Sequence, residues 1–356
     1  MVTILADNCY TPLGQTSSQN VAAVLESRSA LRPYNDSMAA VITDDGLSIV
    51  GYNRFETRCI HSITEALRDC DVEPSADDVI FVVSSTKGDI EHLGNETFRC
   101  LHDSALLIAR YFGNSNEPIV ISNACTSGVC AMITAMRMLQ SGEYQNAIVV
   151  GADIVSEFVF SGFRALKALS SSLCRPFDAS RDGLNLGEAA ATVVLGAAND
   201  NSQAWHLVCG SIHNDANHIS GPSRTGEGSY KCLRDVMQGV DKDDLALISC
   251  HGTGTIYNDE MESIALHRAG LDDIAVNSLK GYYGHTLGAA GLLETIVNMH
   301  AVERGYVPAV PGYEKCGTSF ALNISDKKRL TDKRKMVKLI SGFGGTNAAL
   351  LLQYGL

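Results

Sequence analysis

No run of apolar residues in this chain is long enough to cross a bilayer. The first ten residues, MVTILADNCY, carry no basic leader and read as a first strand, not a signal peptide. Cysteine pairs at redox or metal spacing are missing too. The eleven cysteines are odd in number, dispersed and without a CxxC, with Cys125 and Cys130 the closest pair. Neither a disulfide framework nor a zinc site is expected, and a reducing cytoplasm fits best. Positive charge is scarce: the net charge of −12 disfavours general nucleic-acid binding, although a local basic patch can still dock an acidic partner. No GKS/T and no strand–glycine–helix fingerprint accompanies the glycine-rich stretches, so nucleotide binding fits poorly. What remains is 356 residues, 45% hydrophobic and 19% charged, enough for a large core in two structural halves.

The chain is organised around Ile121 to Gly142, ISNACTSGVCAMITAMRMLQSG. Before it, Pro118-Ile119-Val120-Ile121 reads as the end of a buried strand. After Cys125 come Val129, Met132, Ile133, Met136 and Leu139 at helical spacing, with Ser141-Gly142 as the stop. Cys125 is therefore expected at a strand-to-helix junction. Unpaired backbone N–H groups and the positive helix end lower a thiol pKa there. Gly128 lets a backbone or a substrate approach the first turn. A lone cysteine is most often just a buried one. Two histidine motifs downstream weigh against that reading.

Elsewhere, Val2 to Ala6 and Val79 to Val83 predict buried strands, Val21 to Glu26 a short helix, and Arg32-Pro33 to Asp36 a loop. Helical spacing marks Ile60 to Cys70 and Thr97 to Tyr111, and Ser84 to Gly88 forms a polar mouth after a strand. Ala147 to Gly151 is a further strand, and RPFDASRDGLNLGE from Arg175 a polar loop leading into another. The polar stretch Ala198 to Ser202 is the best internal boundary, dividing the chain into 1–200 and 201–356. The second part repeats the alternation: strands at Ala246 to Cys250, Ala275 to Leu279 and Lys338 to Ser341, with a helix at Met261 to Arg268. Such alternation implies an α/β fold with buried sheets. His285-Thr286-Leu287-Gly288 opens a small-residue helix much as Cys125-Thr126-Ser127-Gly128 does, which suggests duplicated halves meeting around one site.

His251 follows a strand and precedes Gly252-Thr253-Gly254-Thr255. Thr253 and Thr255 can donate hydrogen bonds, and Asp259 is placed to fix the loop. His285 is expected at a helix start, where the imidazolium is disfavoured, and Lys280 pushes the same way. Taken singly, each histidine reads as structural. His61, His92, His102, His206, His213, His267 and His300 keep that reading, while His218 is a candidate for the site entrance. Together, one nucleophilic cysteine and two neutral histidines suit thioester chemistry, with hydrogen bonds to an enolate or thioester oxygen. In GFGGTN, backbone N–H groups around Phe343 and Gly344 could complete an oxyanion hole with that of Cys125; the alternative is an ordinary glycine-rich turn. Lys327-Lys328-Arg329 with Lys333-Arg334-Lys335 reads as a solvated turn, with carrier docking the lesser alternative.

NACTSG with Cys125, RPFDASRDGLNLGE, HGTGT with His251, LKGYYGHTLGAAGLLE with Lys280, His285 and Glu294, and GFGGTN with Phe343 stand in one order. That series resembles the β-ketoacyl-acyl carrier protein synthases, the elongating Cys-His-His branch of the thiolase superfamily. It covers roughly Ser84 to the end of the sequence. The resemblance implies a thiolase-like five-layered αβαβα fold from two duplicated halves, the first carrying Cys125 and the second His251 and His285. It implies decarboxylative condensation of an acyl-Cys125 intermediate with malonyl-carrier protein, in fatty acid or polyketide/polyene elongation. Lys280 and Glu294 would organise the site and Phe343 would gate it. No metal or dissociable cofactor is implied, since phosphopantetheine arrives on the acyl carrier protein. A homodimer is expected. The alternative is a heterodimer with a related chain, in which this subunit mainly sets chain length. The segment before Cys125 is shorter than in the family, which puts acyl length and the dimer face outside what the resemblance carries.

Overall fold

A computed structural model of the chain describes residues 1–43, 46–197 and 203–355. The boundary expected at 198–202 lies outside the described residues. Among the described residues, ten strands form one hydrogen-bonded sheet: β1 (Val2–Tyr10), β2 (Val79–Ser84), β3 (Ile119–Ile121), β4 (Asn146–Asp153), β5 (Ala189–Ala197), β6 (Trp205–Asn214), β7 (Leu245–Ser249), β8 (Val276–Asn277), β9 (Lys335–Gly342) and β10 (Thr346–Tyr354). Their order is β8-β7-β9-β10-β6-β1-β5-β4-β2-β3. Outward from the middle, β1-β5-β4-β2-β3 and β6-β10-β9-β7-β8 are the same arrangement twice. The strand senses repeat as well: two antiparallel pairings, then two parallel ones. Antiparallel pairs Val2 with Leu207 and Thr3 with His206 join the two runs.

The helices are α1 (Ser17–Leu25), α2 (Arg54–Leu67), α3 (Leu101–Tyr111), α4 (Ser127–Gln140), α5 (Glu157–Ala165), α6 (Glu227–Val236), α7 (Ile256–Arg268), α8 (Lys280–Tyr283) and α9 (Ala290–Glu303). On one outer face, Phe55, Ile63 and Ile108 of α2 and α3 pack against Phe81, Val83 and Ile148. On the other, Leu233 and Leu266 of α6 and α7 pack against Ile248, Val337 and Leu351. Between the runs, Met132 and Ile133 of α4 and Leu293 and Ile296 of α9 share a core with Val82, Val149, Ala348 and Leu350. The result is five layers: helix, strand, helix, strand, helix. Strands covered on both faces are nearly all apolar, as in VIFVVS of β2.

At the centre, α4 meets the turn that leads into α9. A Cβ on Gly128 would stand 2.9 Å from Gly288 O and 3.0 Å from Leu292 N. Only glycine permits that approach.

Some expectations change. Arg32-Pro33 to Asp36 is a hairpin, not a loop: Arg32–Tyr34 pairs with Ser37–Ala40 around a turn with Asn35 at φ +52°. Asparagine tolerates that conformation, and Pro33 sits on an exposed strand where its missing N–H costs little. Pro118 to Ile121 does not end a buried strand; β3 is the half-buried last strand of the sheet. Helix α2 starts at Arg54, ahead of the expected Ile60, because Asn53 and Glu56 form a capping box.

Gly128→Ala should cost about 1–3 kcal/mol, since its methyl meets backbone that cannot step aside. As control, Gly162→Ala on the exposed side of α5 meets nothing within 4 Å and should be neutral or slightly stabilising. Urea unfolding midpoints check both. Equal midpoints for the two variants would mean that α4 and α9 can separate freely.

Candidate active site

Cys125 lies between β3 and α4, as the sequence predicts. Ala124 holds φ +48°, an uncommon conformation for a residue with a side chain, and turns the chain sharply at this point. Thr126 Oγ1 donates to Asn123 O at 2.7 Å and Ser127 Oγ to Ala124 O at 2.6 Å, locking the junction. Cys125 Sγ stands 2.9 Å from His285 Nε2. The ring of His251 lies edge-on to that of His285, with centroids 5.0 Å apart. The three groups are buried and share a cavity of about 490 Å³ with Thr253, Thr255, Phe163, Tyr257 and Phe343.

His251 ends β7 on a tightly held turn. Glu262 of α7 accepts from His251 N at 2.6 Å and Gly252 N at 2.7 Å. Asp259 accepts from Thr253 N at 2.9 Å and Phe177 N at 2.7 Å, so it does fix the loop. Thr253 Oγ1 and Thr255 Oγ1 bond each other at 2.8 Å.

His285 does not begin a helix. A 3₁₀ turn, Leu287–Ala289, separates it from α9, and Leu287 at φ +53° breaks the helical path. What holds His285 is the end of RPFDASRDGLNLGE: its N–H donates to Asn185 O at 2.7 Å and its carbonyl accepts from Gly187 N at 3.0 Å. Leu287 N–H donates to His285 Nδ1 at 3.3 Å, which makes Nε2 the protonated nitrogen of the neutral ring. Below the histidines, Lys280 Nζ donates to His251 O at 2.6 Å and to Glu294 Oε1 at 2.7 Å. Lys338 Nζ reaches the other oxygen of Glu294 at 2.5 Å.

Burial pushes both imidazoles well below their ordinary pKa, with Lys280 acting in the same direction on each. The neutral histidines are thus a matter of desolvation and of lysine charge, not of a helix end. The Cys125 thiol goes the opposite way to expectation. Burial pushes it up to about 11, against Lys280, Lys87 and a hydrogen bond from the Phe343 backbone. Loss of solvation outweighs the favourable junction, so the resting residue is a thiol.

The GFGG turn packs directly on the nucleophile. A Cβ on Gly342 would come within 3.1 Å of Cys125 N. Phe343 stacks on Phe163 at 5.8 Å. Gly344 is a correction: its N–H donates to Ile219 O at 2.7 Å, which removes it from the oxyanion donors and ties the turn to the His218 loop. His218 lines the cavity, and its Nδ1 accepts from Ser220 N at 3.1 Å. The basic run lies away from the cavity lining: Arg334 donates to Val302 O at the end of α9, and Lys335 pairs with Asp244.

Four supporting residues escaped the sequence reading: Glu262, Lys338, Asn185 and Asp153. The last accepts from Gly288 N at 2.6 Å and Ser85 Oγ at 2.8 Å. Two carried a signal. Asp259 and Glu262 stand one helical turn apart just after HGTGT, and Lys338 interrupts an apolar strand.

The fold is thiolase-like, and its duplicated halves bring one cysteine and two histidines together. A solved ishigamide ketosynthase/chain length factor matches 99% of this chain and 98% of its own with a TM-score of 0.88 at 24% identity. A β-ketoacyl synthase from Burkholderia phymatum STM815 gives 0.89 at 24%, over 100% and 99%. The chain belongs to the β-ketoacyl synthase family: residues 104–201 match its N-terminal domain and residues 206–314 its C-terminal domain. It is 33% identical over 254 residues to 3-oxoacyl-[acyl-carrier-protein] synthase 2 of Rhizobium meliloti (strain 1021), covering 65% of this chain and 60% of that protein. It is 30% identical over 261 residues to the tetracenomycin polyketide synthase ketoacyl synthase alpha subunit of Streptomyces glaucescens, covering 67% and 61%. The chain thus spans about three fifths of the length of these relatives.

A raised thiol pKa means that the thiolate fraction grows as pH rises. Labelling of Cys125 by iodoacetamide, followed by peptide mapping, should keep accelerating between about pH 7 and pH 10. Exposed Cys100 will also label, so the rate is read on the Cys125 peptide alone. A plateau near neutrality would reveal a thiolate–imidazolium pair and overturn this assignment.

Proposed function

We propose that this chain is a β-ketoacyl-[acyl-carrier-protein] synthase, a carbon–carbon bond-forming acyltransferase. The observation that carries the reading is Cys125 Sγ at 2.9 Å from His285 Nε2, with His251 beside it in one cavity. In the first stage, Cys125 attacks an acyl thioester on the carrier. The acyl–sulfur bond to the carrier breaks, the new one to Cys125 forms, and the released carrier thiolate takes up the thiol proton. The backbone N–H groups of Cys125 and Phe343 are the oxyanion donors this requires. In the second stage, malonyl-carrier protein loses CO2. The electron pair left behind becomes an enolate, whose oxygen accepts from His285 Nε2–H and from His251. That carbanion attacks the acyl carbon, the acyl–sulfur bond breaks, and Cys125 leaves as a thiolate that takes up a proton to restore the resting thiol. Phosphopantetheine, carried by the partner, is the only prosthetic group needed.

Lys280, Glu294, Asp259, Thr253 and Thr255 hold the histidines and their loop, while Phe343 with Phe163 gates the cavity. Residues 1–200 and 201–356 are the two functional halves. A cytoplasmic setting suits carrier-borne substrates, and among the described residues no helix is long and apolar enough to cross a membrane. Fatty acid and polyketide or polyene elongation use the same chemistry. A chain-length subunit has no use for the nucleophile, so the complete Cys-His-His set favours the condensing reading over that alternative.

Strand β3 supports pairing between chains. It ends the sheet with half-buried Ile119, Val120 and Ile121, and an open edge invites another strand. A homodimer should appear in light scattering; an active monomer would rule it out, and copurification only with a related chain would point to the heterodimer.

Replacing the donors separates the two stages. His285→Ala should still form acyl-Cys125 but lose about 10²–10³ in CO2 release. Cys125→Ala should form no acyl-enzyme and keep the decarboxylation site. Acyl-enzyme mass and CO2 evolution check each variant. Wild-type CO2 release from His285→Ala would make His285 structural and end the Cys-His-His reading.

A further inference from the structure

Lys338 is a lysine where the strand pattern asks for a hydrocarbon. Its neighbours on β9, Met336, Val337, Leu339 and Ile340, are fully buried, and so is Lys338 itself. Val337 and Leu339 face the outer core of α6 and α7, whereas Met336 and Ile340 face the central core of α4 and α9. By alternation Lys338 shares the central face, opposite Glu294 of α9. An ammonium buried there is costly unless it is paired and fully bonded.

Its bonds show what it holds. Lys338 Nζ donates to Glu294 Oε2 at 2.5 Å, Cys250 O at 3.2 Å and Ser249 O at 3.3 Å. Lys280 Nζ takes the next carbonyl, His251 O, and the other Glu294 oxygen. Two ammonium groups on one carboxylate therefore grip three consecutive carbonyls at the end of β7, the stretch that delivers His251. With both lysines charged, the same count leaves one positive charge without a counter-ion; burial lowers the pKa of Lys338, and its bond to Glu294 pulls it back up.

We propose that Lys338 is a positioning residue that, through Glu294 shared with Lys280, fixes the strand end carrying His251 and supplies a surplus positive charge that adds to burial and Lys280 in keeping both imidazoles neutral. An apolar residue at 338 would leave Glu294 and Lys280 as a neutral pair. The other charges facing the rings do not replace it. Glu262 lies beneath the His251 turn, but burial raises its pKa to about 7. Asp259 of α7 and Asp153 of β4 are buried and raised too, and both are bound to backbone N–H groups. Lys87, beyond β2, acts on His285 and Cys125. Lys338 acts on both rings in the direction of neutrality. The benefit follows from the condensing reading, on which the inference rests: a neutral ring donates one N–H to the enolate and stays unprotonated through the working pH range.

The test is Lys338→Met. Ring signals of His251 and His285, followed by NMR against pH, should titrate higher than in the wild type by about one pH unit, the effect expected of one nearby charge at an effective dielectric of about 20. The acid limb of CO2 release should move up by the same amount. Lys338→Met with Glu294→Gln restores the surplus charge, so it should bring the titration back toward the wild type even if the rate stays low. A fall in melting temperature with both titration and acid limb unmoved would make Lys338 merely structural and overturn the proposal. So would wild-type rings that titrate near the ordinary histidine value, a result that needs no variant to fold. Because the ring titration needs no turnover, absence of CO2 release from the wild type would count against the condensing reading and leave this test standing.

Discussion

Two chain segments touch backbone to backbone at the middle of this molecule, and the space between them admits no side chain at Gly128. Around that contact the rest takes its place. Helix α4 begins two residues after Cys125, and the turn into α9 begins just after His285. Fixing one against the other therefore fixes the sulfur against the imidazole. Each segment is fed by a different run of strands, and both bury their remaining faces in one shared core. A well-packed interior yields little to strain, so sub-ångström geometry at the site is inherited from layers some distance away.

Burial has a second, electrostatic consequence. The same enclosure that aligns the three reacting groups removes the water that would stabilise their charged forms. Thiol and imidazoles are each driven toward neutrality, and the lysines beneath tip the histidines further that way. On the condensing reading proposed above, charge develops only when a substrate oxygen or a departing thiolate brings it, and preorganised N–H groups meet it there. The permanent charges are kept one layer back, on Glu294, Lys280 and Lys338, where backbone carbonyls hold them.

Much of this was legible in the sequence, for physical reasons that differ by element. Strands β2, β4 and β7 announced themselves as unbroken apolar runs because helices cover both faces. Cys125 and His251 were recognisable because each follows a strand end and precedes small residues, and His285 because LGAAG follows it closely. Less legible was anything that depends on a partner distant in the chain. Asn185 and Gly187 hold His285 through backbone atoms, which leave no chemical signature in a side chain. The start of α7 at Ile256 was missed because Ile256 and Tyr257 are exposed and break the amphipathic pattern. Proximity to a helix start locates Cys125 correctly but does not set its thiol pKa, which follows the depth of burial, a quantity not written in the sequence.

The seam between β1 and β6 joins two copies of one strand arrangement; each keeps an outer core of its own, and the inner faces of both share a third. Helix α4 is covered on one side by the second half and α9 by the first. Cut at the seam, each half would expose an apolar helix wall. A half made as a separate chain would be expected to cover that wall by pairing with a second copy. In that pair, every reaction centre would have been assembled across a two-fold axis, with equivalent positions supplied by both subunits. A single chain lifts that equivalence: the turn before α4 carries a cysteine while the turn that leads into α9 carries a histidine, a division of labour closed to any strictly symmetric assembly.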